Sequence, residues 1–94
     1  MDRQVGSFVW DIGKELANIR KHHVDFVTAA RAFADPSRKI FIDERHRSTE
    51  ERLFCVGRVE GRVVPVRFTY RGELIRIYGA GYWRKGKRYY DQAN

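Results

Sequence analysis

The residues best suited to chemistry are cationic and aromatic, and they gather in the last third of the chain. Arg84, Lys85, Lys87 and Arg88 stand among Tyr82, Trp83, Tyr89 and Tyr90, shortly after Arg76. Guanidinium and ammonium groups bind phosphate oxygens, and aromatic faces stack on unpaired bases. The same run also reads as a solvated helix whose aromatics pack back on a sheet, because basic runs are commonly plain surface. Upstream, Glu51-Arg52, Arg67, His22 and Lys14 add an acid, further cations and a group that titrates near neutrality.

Placing these groups requires strands and helices. Alternation in Arg67-Phe68-Thr69-Tyr70 and Arg76-Ile77-Tyr78 puts one face in a core and the arginines on the other. Strands are expected over 52–59, 63–70 and 73–78, joined by tight turns at Glu60-Gly61-Arg62 and Tyr70-Arg71-Gly72. Lys39-Ile40-Phe41-Ile42 adds a fourth strand, and Pro65 implies an edge or a bulge. A Gly79-Ala80-Gly81 hinge is expected to end the meander and lead into a terminal helix.

The first half reads strand, helix, helix. Gly6 to Trp10 is a short strand, and Asp11 caps a helix ending near Lys21 or His22. Ile12, Leu16 and Ile19 recur at i, i+4 and i+7 and predict its buried stripe, while Lys14, Asn18 and Lys21 predict a solvated one. Asp25 caps a second helix with Phe26, Ala29 or Ala30, and Phe33 inward, stopped at Asp35-Pro36. Residues 43–50 are polar and read as a loop. The expectation is an α+β fold in one compact domain, with both helices on one sheet face and a basic cleft on the other.

Composition narrows the function classes. At 94 residues the chain can bury one small core. Residues 1–50 carry nine Lys/Arg against eight Asp/Glu, whereas residues 51–94 carry ten against four, giving most of the net +7. Such asymmetry attracts polyanions or a strongly acidic partner. No apolar run approaches the ~20 residues of a membrane span, so a cytoplasmic protein without membrane contact is expected. The lone Cys55 sits in an apolar strand and reads as a buried, inert thiol. His22-His23 with Asp25 or His46 is the nearest approach to a metal set. Adjacent helical histidines diverge by about 100°, and no zinc-finger spacing exists, so neither metal nor cofactor is expected.

Taken in order, Phe8-Val9-Trp10-Asp11, Lys14, Asn18, Lys21-His22 and Val24-x-Phe26 resemble the opening of the BrnT toxin family. Ala30, Phe33, Asp35-Pro36, Glu51-Arg52-Leu53-Phe54, Gly57, Arg71 and Arg76-Ile77 continue the likeness, which spans about residues 8–90. The resemblance implies a RelE-like fold, the toxin of a bacterial type II pair, and metal-independent endoribonuclease activity. It also implies a cognate ribbon-helix-helix antitoxin, through which alone operator DNA is bound. The family's Lys-His-Gly stands here as Lys21-His22-His23, and its Arg-x-Ile-Ser-Ala-Arg as Arg76-Ile77-Tyr78-Gly79-Ala80-Gly81. A serine and an arginine are thus missing, and a glutamate common in the last helix falls near Lys87.

Metal-free cleavage attacks the phosphate with the neighbouring 2′-OH, and needs a base, cations on the phosphate and an acid for the 5′ oxygen. Arg76 is the first candidate for the phosphate, its alternative being an ion pair with Glu73 or Glu60. Glu51 either orients Arg52, acts as base, or forms an ordinary exposed pair with it. His22 is a proton-transfer candidate or a helix C-cap, and Lys14 a catalytic cation or plain surface. Arg67, Tyr82, Trp83, Arg84, Lys85, Lys87 and Arg88 are expected to bind RNA. The rival expectation is a weak or inactive module that retains antitoxin and nucleic-acid binding for autoregulation.

Overall fold

The computed structural model describes residues 1–44, 50–82 and 84–91, with side chains 84–86 excepted. In chain order the elements are β1 (Asp2–Val5), β2 (Phe8–Asp11), α1 (Ile12–His22) and α2 (Phe26–Arg31), which tightens into a 3₁₀ turn at Ala32–Ala34. Then follow β3 (Lys39–Ile42), β4 (Leu53–Val59), β5 (Arg62–Arg71), β6 (Leu74–Ala80) and α3 (Arg84–Asp91). Among the described residues the six strands form one sheet in the order β1-β2-β6-β5-β4-β3.

The α+β class and the antiparallel β3–β6 meander match the expectation, but the sheet is larger and mixed. β1 pairs antiparallel with β2, and β2 joins the meander through a parallel pairing with β6. Pro65 lies in the central strand β5, opposite Val56, not at an edge of the sheet. Its carbonyl accepts from Gly81 N just past the end of β6. Both backbone groups of an antiparallel residue face the same neighbour, so the one ladder bond the proline forgoes is to Gly81, where the β5–β6 pairing ends. The Gly79-Ala80-Gly81 hinge is corrected too, since β6 runs unbroken through Ala80.

Two cap residues explain the helical boundaries. Asp11 accepts from the Lys14 N–H, and Asp25 accepts from the Thr28 N–H, satisfying donors that a helix start leaves free. The buried face of α1 is turned from the expected one, although Lys14 and Lys21 are exposed as expected. Glu15 and Asn18 are its buried residues, whereas Leu16 is 53% and Ile19 37% exposed. Trp10 Nε1 and Phe26 N donate to the two Glu15 oxygens at 3.0 and 2.9 Å. Asn18 Nδ2 donates to Val24 O, and its Oδ1 accepts from Ala80 N. Polar side chains therefore fasten α1 to β2, β6 and the start of α2, around a core containing Trp10, Phe26, Phe68 and Ile77.

Helix α1 ends at His23, whose φ of 61° and ψ of 29° lie in the left-handed region. The resemblance leads one to expect glycine here, and a β-carbon in this conformation costs about 1–2 kcal/mol. His23→Gly is expected to raise the melting temperature by roughly 5 °C, corresponding to about 1 kcal/mol. An unchanged or lowered melting temperature would show that the histidine ring recovers that cost through its own contacts.

Gly57 of β4 has a packing reason. A Cβ there would stand 2.1 Å from the Ala32 carbonyl oxygen, so the 3₁₀ turn rests directly on the strand. Cys55, two residues earlier, is buried in the same layer. Burial pushes its thiol up to about 12, in keeping with an inert side chain.

Helix α3 packs on β4 and β5, on the sheet face opposite α1 and α2. Phe41 meets Tyr89 at 5.0 Å there, and the Tyr90 hydroxyl donates to Asp35 Oδ2 at 2.7 Å. Arg58 caps the Tyr90 ring at 5.1 Å while its N–H also donates to Asp35. These two tyrosines thus pack back on the sheet.

Burial raises the Asp35 pKa, but hydrogen bonds from Tyr90, Arg58 and Ser37 outweigh it and hold the carboxyl below its ordinary value. A depressed carboxyl stabilises above its unfolded pKa of about 3.9 and loses that contribution as pH falls through the folded value. Amide protection in α3 is therefore expected to fall only in that acid window, and Tyr90→Phe should weaken it at neutral pH. Loss of α3 protection near pH 6 in the parent protein would refute this anchor.

Candidate nucleic-acid interface

Strand alternation sorts the arginines. Leu53, Phe68 and Ile77 are core residues beneath α1 and α2. Arg52, Arg67, Thr69, Arg76 and Tyr78 therefore alternate to the second face. Thr69 pairs with Arg76 across β5–β6, and its hydroxyl donates to the Glu51 carbonyl beside the start of β4. Arg52 and Arg76 consequently flank Thr69, about 10 Å apart at two strand spacings. Arg67 lies one pleat further on, its stem 3.9 Å from where a Gly79 Cβ would be.

The pairing of β5 with β6 slips between Arg67–Gly79 and Phe68–Ile77. Tyr78 is the extra residue, and such bulges re-aim a side chain. The Arg52 guanidinium stacks over the Tyr78 ring with its carbon 4.4 Å from the centroid. Arg52 Nε and the Tyr78 hydroxyl are both buried in this contact, where the phenol oxygen can accept from the guanidinium. Burial pushes the Tyr78 phenol above its ordinary pKa; the hydrogen bond and charge of Arg52 only partly offset this, and the nearby Asp43 carboxylate adds to it. The phenol therefore keeps its proton at neutral pH and is a donor.

Arg76 pairs with neither Glu73 nor Glu60. Its Nη1 and Nη2 donate to Asp2 Oδ2 and Oδ1 at 3.0 and 3.2 Å, a fork-to-fork geometry that a phosphate would also satisfy. The guanidinium's hydrogen bond, with its charge, holds the Asp2 carboxyl below its ordinary value against a smaller burial effect. Glu51 is exposed, and the neighbouring Glu50 pairs with Arg71 at 3.5 Å.

Of the remaining candidates, those on α1 separate from this face, whereas α3 packs on it. Lys14 and His22 belong to α1, on the other layer, with Lys14 exposed and His22 half-buried. Tyr82 lies under the Arg62 guanidinium at 3.4 Å. Lys87 pairs with Asp91 at 3.0 Å, and Arg88 is exposed on α3. Trp83, His46 and the side chains of Arg84 and Lys85 lie outside the described residues. Among the described residues no three His, Cys, Asp or Glu side chains converge as a metal set, and no helix is long and apolar enough to cross a membrane.

Sequence reading assigned no role to Tyr78 or Asp2. Tyr78 carried a signal, sharing the Arg76 side of an alternating segment. Asp2 carried none, because it meets Arg76 across 74 positions of chain.

A comparison with curated proteins finds no match. Residues 10–86 match the family described as ribonuclease toxin, BrnT, of type II toxin–antitoxin systems. That segment carries Arg52, Arg67, Arg76 and Tyr78 and most of the core, while β1 with Asp2 lies outside it. With so much of its length covered, the chain belongs to the BrnT family of type II ribonuclease toxins.

Proposed function

We propose that this chain is a cytoplasmic endoribonuclease toxin that cleaves RNA without a metal ion. A ribbon-helix-helix antitoxin neutralises it and carries the pair to operator DNA. The observation that carries the reading is the sharing of one sheet face by Arg52, Arg67 and Arg76, clear of α1 and α2. Cations held by strands stabilise a phosphate whose charge grows as the 2′-oxygen bonds to phosphorus and the 5′-oxygen departs. Arg52 and Arg76 fill that role, and Arg67 holds the adjoining backbone. Glu51, at the entry to β4, is the carboxylate nearest in sequence to Arg52 and the first candidate for base. Lys14 and His22 act on RNA only if the strand reaches round to α1, while Tyr82, Trp83, Arg84, Lys85, Lys87 and Arg88 form the outer binding surface.

The occupied fork of Arg76 favours a second reading. In it the chain binds antitoxin and nucleic acid for autoregulation and cleaves weakly or not at all. Purified protein incubated with naked RNA in EDTA, with and without ribosomes, separates the two. Fragments ending in 2′,3′-cyclic phosphate support the nuclease, whereas intact RNA under both conditions supports the binding module.

A further inference from the structure

The strand register brings an apolar residue of every strand to one end of the sheet. Val5 of β1 faces Phe8 of β2, Phe8 faces Ile75 of β6, and Ile75 faces Tyr70 of β5. Two residues back along β5, Phe68 faces Leu53 of β4, which faces Ile42 of β3. Phe68 and Leu53 are core residues, and alternation puts the whole row on their face, the one that carries α1 and α2.

The helices leave this end open. Helix α1 is fastened at the other end of β2 and β6, through Trp10 and Ala80. The 3₁₀ turn reaches the row with Phe33, whose ring meets Phe8 and Phe68 at 5.2 and 4.9 Å. Past it, Val5 is 40%, Ile42 48% and Tyr70 54% exposed. Apolar side chains scattered singly over a surface need no explanation, whereas a continuous strip marks a place of contact. Here Phe8 and Ile75, both half-buried, join Val5 to Tyr70, and the Tyr70 and Phe68 rings meet edge to face at 5.4 Å.

The dimensions of the strip select its occupant. Five strand spacings make it about 24 Å long, and it is little more than one side chain wide. A helix about 10 Å across would cover roughly 250 Å² of it, about a third of the ~800 Å² per partner that a stable domain interface buries. A second copy of this chain is therefore a poor fit, and two copies at net +7 would also repel. Between its edge strands the row has its backbone engaged in the sheet ladders, so an occupant must satisfy its own peptide groups. A helix does this and an extended segment does not. About sixteen helical residues span 24 Å. The excess of positive charge calls for acidic residues beside the apolar stripe of that helix, and membership of a toxin–antitoxin family supplies a protein partner.

We propose that this strip is the docking site for an amphipathic, acidic-flanked helix of the antitoxin. The inference rests on the antitoxin part of the proposed function and deepens it by giving the partner its place. The strip lies on the face opposite Arg52, Arg67 and Arg76, so the contact holds the antitoxin without itself covering them.

The test titrates the cognate antitoxin, by calorimetry, into this chain and three variants of it. Tyr70→Asp and Ile42→Asp put a charge at the middle and the far end of the strip, and each should weaken antitoxin binding at least about tenfold. Leu16→Asp, as exposed as Tyr70 but on α1, should leave binding unchanged. Melting temperature and cleavage of naked RNA by the free proteins should stay at parental values. Should Tyr70→Asp melt early, Ile42→Asp still decides.

Parental antitoxin affinity in both strip variants would overturn the docking site and leave the antitoxin reading standing. An equal loss in Leu16→Asp would overturn it too, as a general effect of charge. If the parent binds no antitoxin, the reading and the site fall together. A parental dimer that Tyr70→Asp dissolves would give the strip to a second copy of the chain and refute the proposal.

Discussion

Alanine at Arg76 is expected to lower RNA cleavage by about 10²–10³-fold, the usual effect of removing one well-placed charge-stabilising group. The fold should survive, because Arg76 faces away from the core and its partner Asp2 belongs to an exposed strand at the sheet edge. The pair has a further consequence. Asp2 presents to the fork of Arg76 the same two-oxygen geometry that a phosphate presents, so carboxylate and RNA compete for one guanidinium. Asp2→Ala should therefore leave cleavage intact or raise it and tighten RNA binding, and the double variant should match Arg76→Ala. The opposite outcome, with Asp2→Ala as damaging as Arg76→Ala, would make Asp2 an orienting group. Arg76→Ala with undiminished toxicity and an unchanged melting temperature would remove Arg76 from the site.

Sequence and structure agree where local chemistry decides. The helix starts follow from Asp11 and Asp25, each of which accepts a backbone N–H as its cap. The β4–β5 turn follows from Glu60-Gly61, both with positive φ, as a tight hairpin requires. Agreement fails where a distant group decides. β1 has four exposed residues and no apolar alternation, and its only local signal was the Gly6-Ser7 pair of a two-residue hairpin turn. The basic aromatic tail was ambiguous for a similar reason, since Asp35, 55 positions away, and Arg58 hold Tyr90 against the sheet.

The candidate site divides in the same way. Alternation alone was enough to put Arg67 and Arg76 on one face. Tyr78 depended on a slip in register that no residue type announces. Arg52 reaches Tyr78 over the intervening strand β5, a contact that requires the sheet order. The missing serine and arginine of the family pattern were visible, but what the neighbouring tyrosine touches was not.

The largest stability effect is expected at Glu15, and it sets the two readings of α1 against each other. By hydrophobic period, Leu16 belongs to the buried stripe and Glu15 is incidental. In the fold Glu15 is 8% exposed and accepts from both Trp10 Nε1 and Phe26 N. Glu15→Ala leaves both buried donors unmet, at about 1–3 kcal/mol each, so a loss of roughly 3 kcal/mol and 15 °C in melting temperature follows for a domain of this size. Glu15→Gln should recover only part of this, because its amide offers one oxygen and turns a nitrogen toward the other donor. Leu16→Ala removes a mostly solvated side chain and should cost under about 0.5 kcal/mol. Urea unfolding of the three variants decides the matter. Should Leu16→Ala prove the more damaging, α1 would have to be turned about its axis, and the polar clamp of Glu15 and Asn18 would be lost with it.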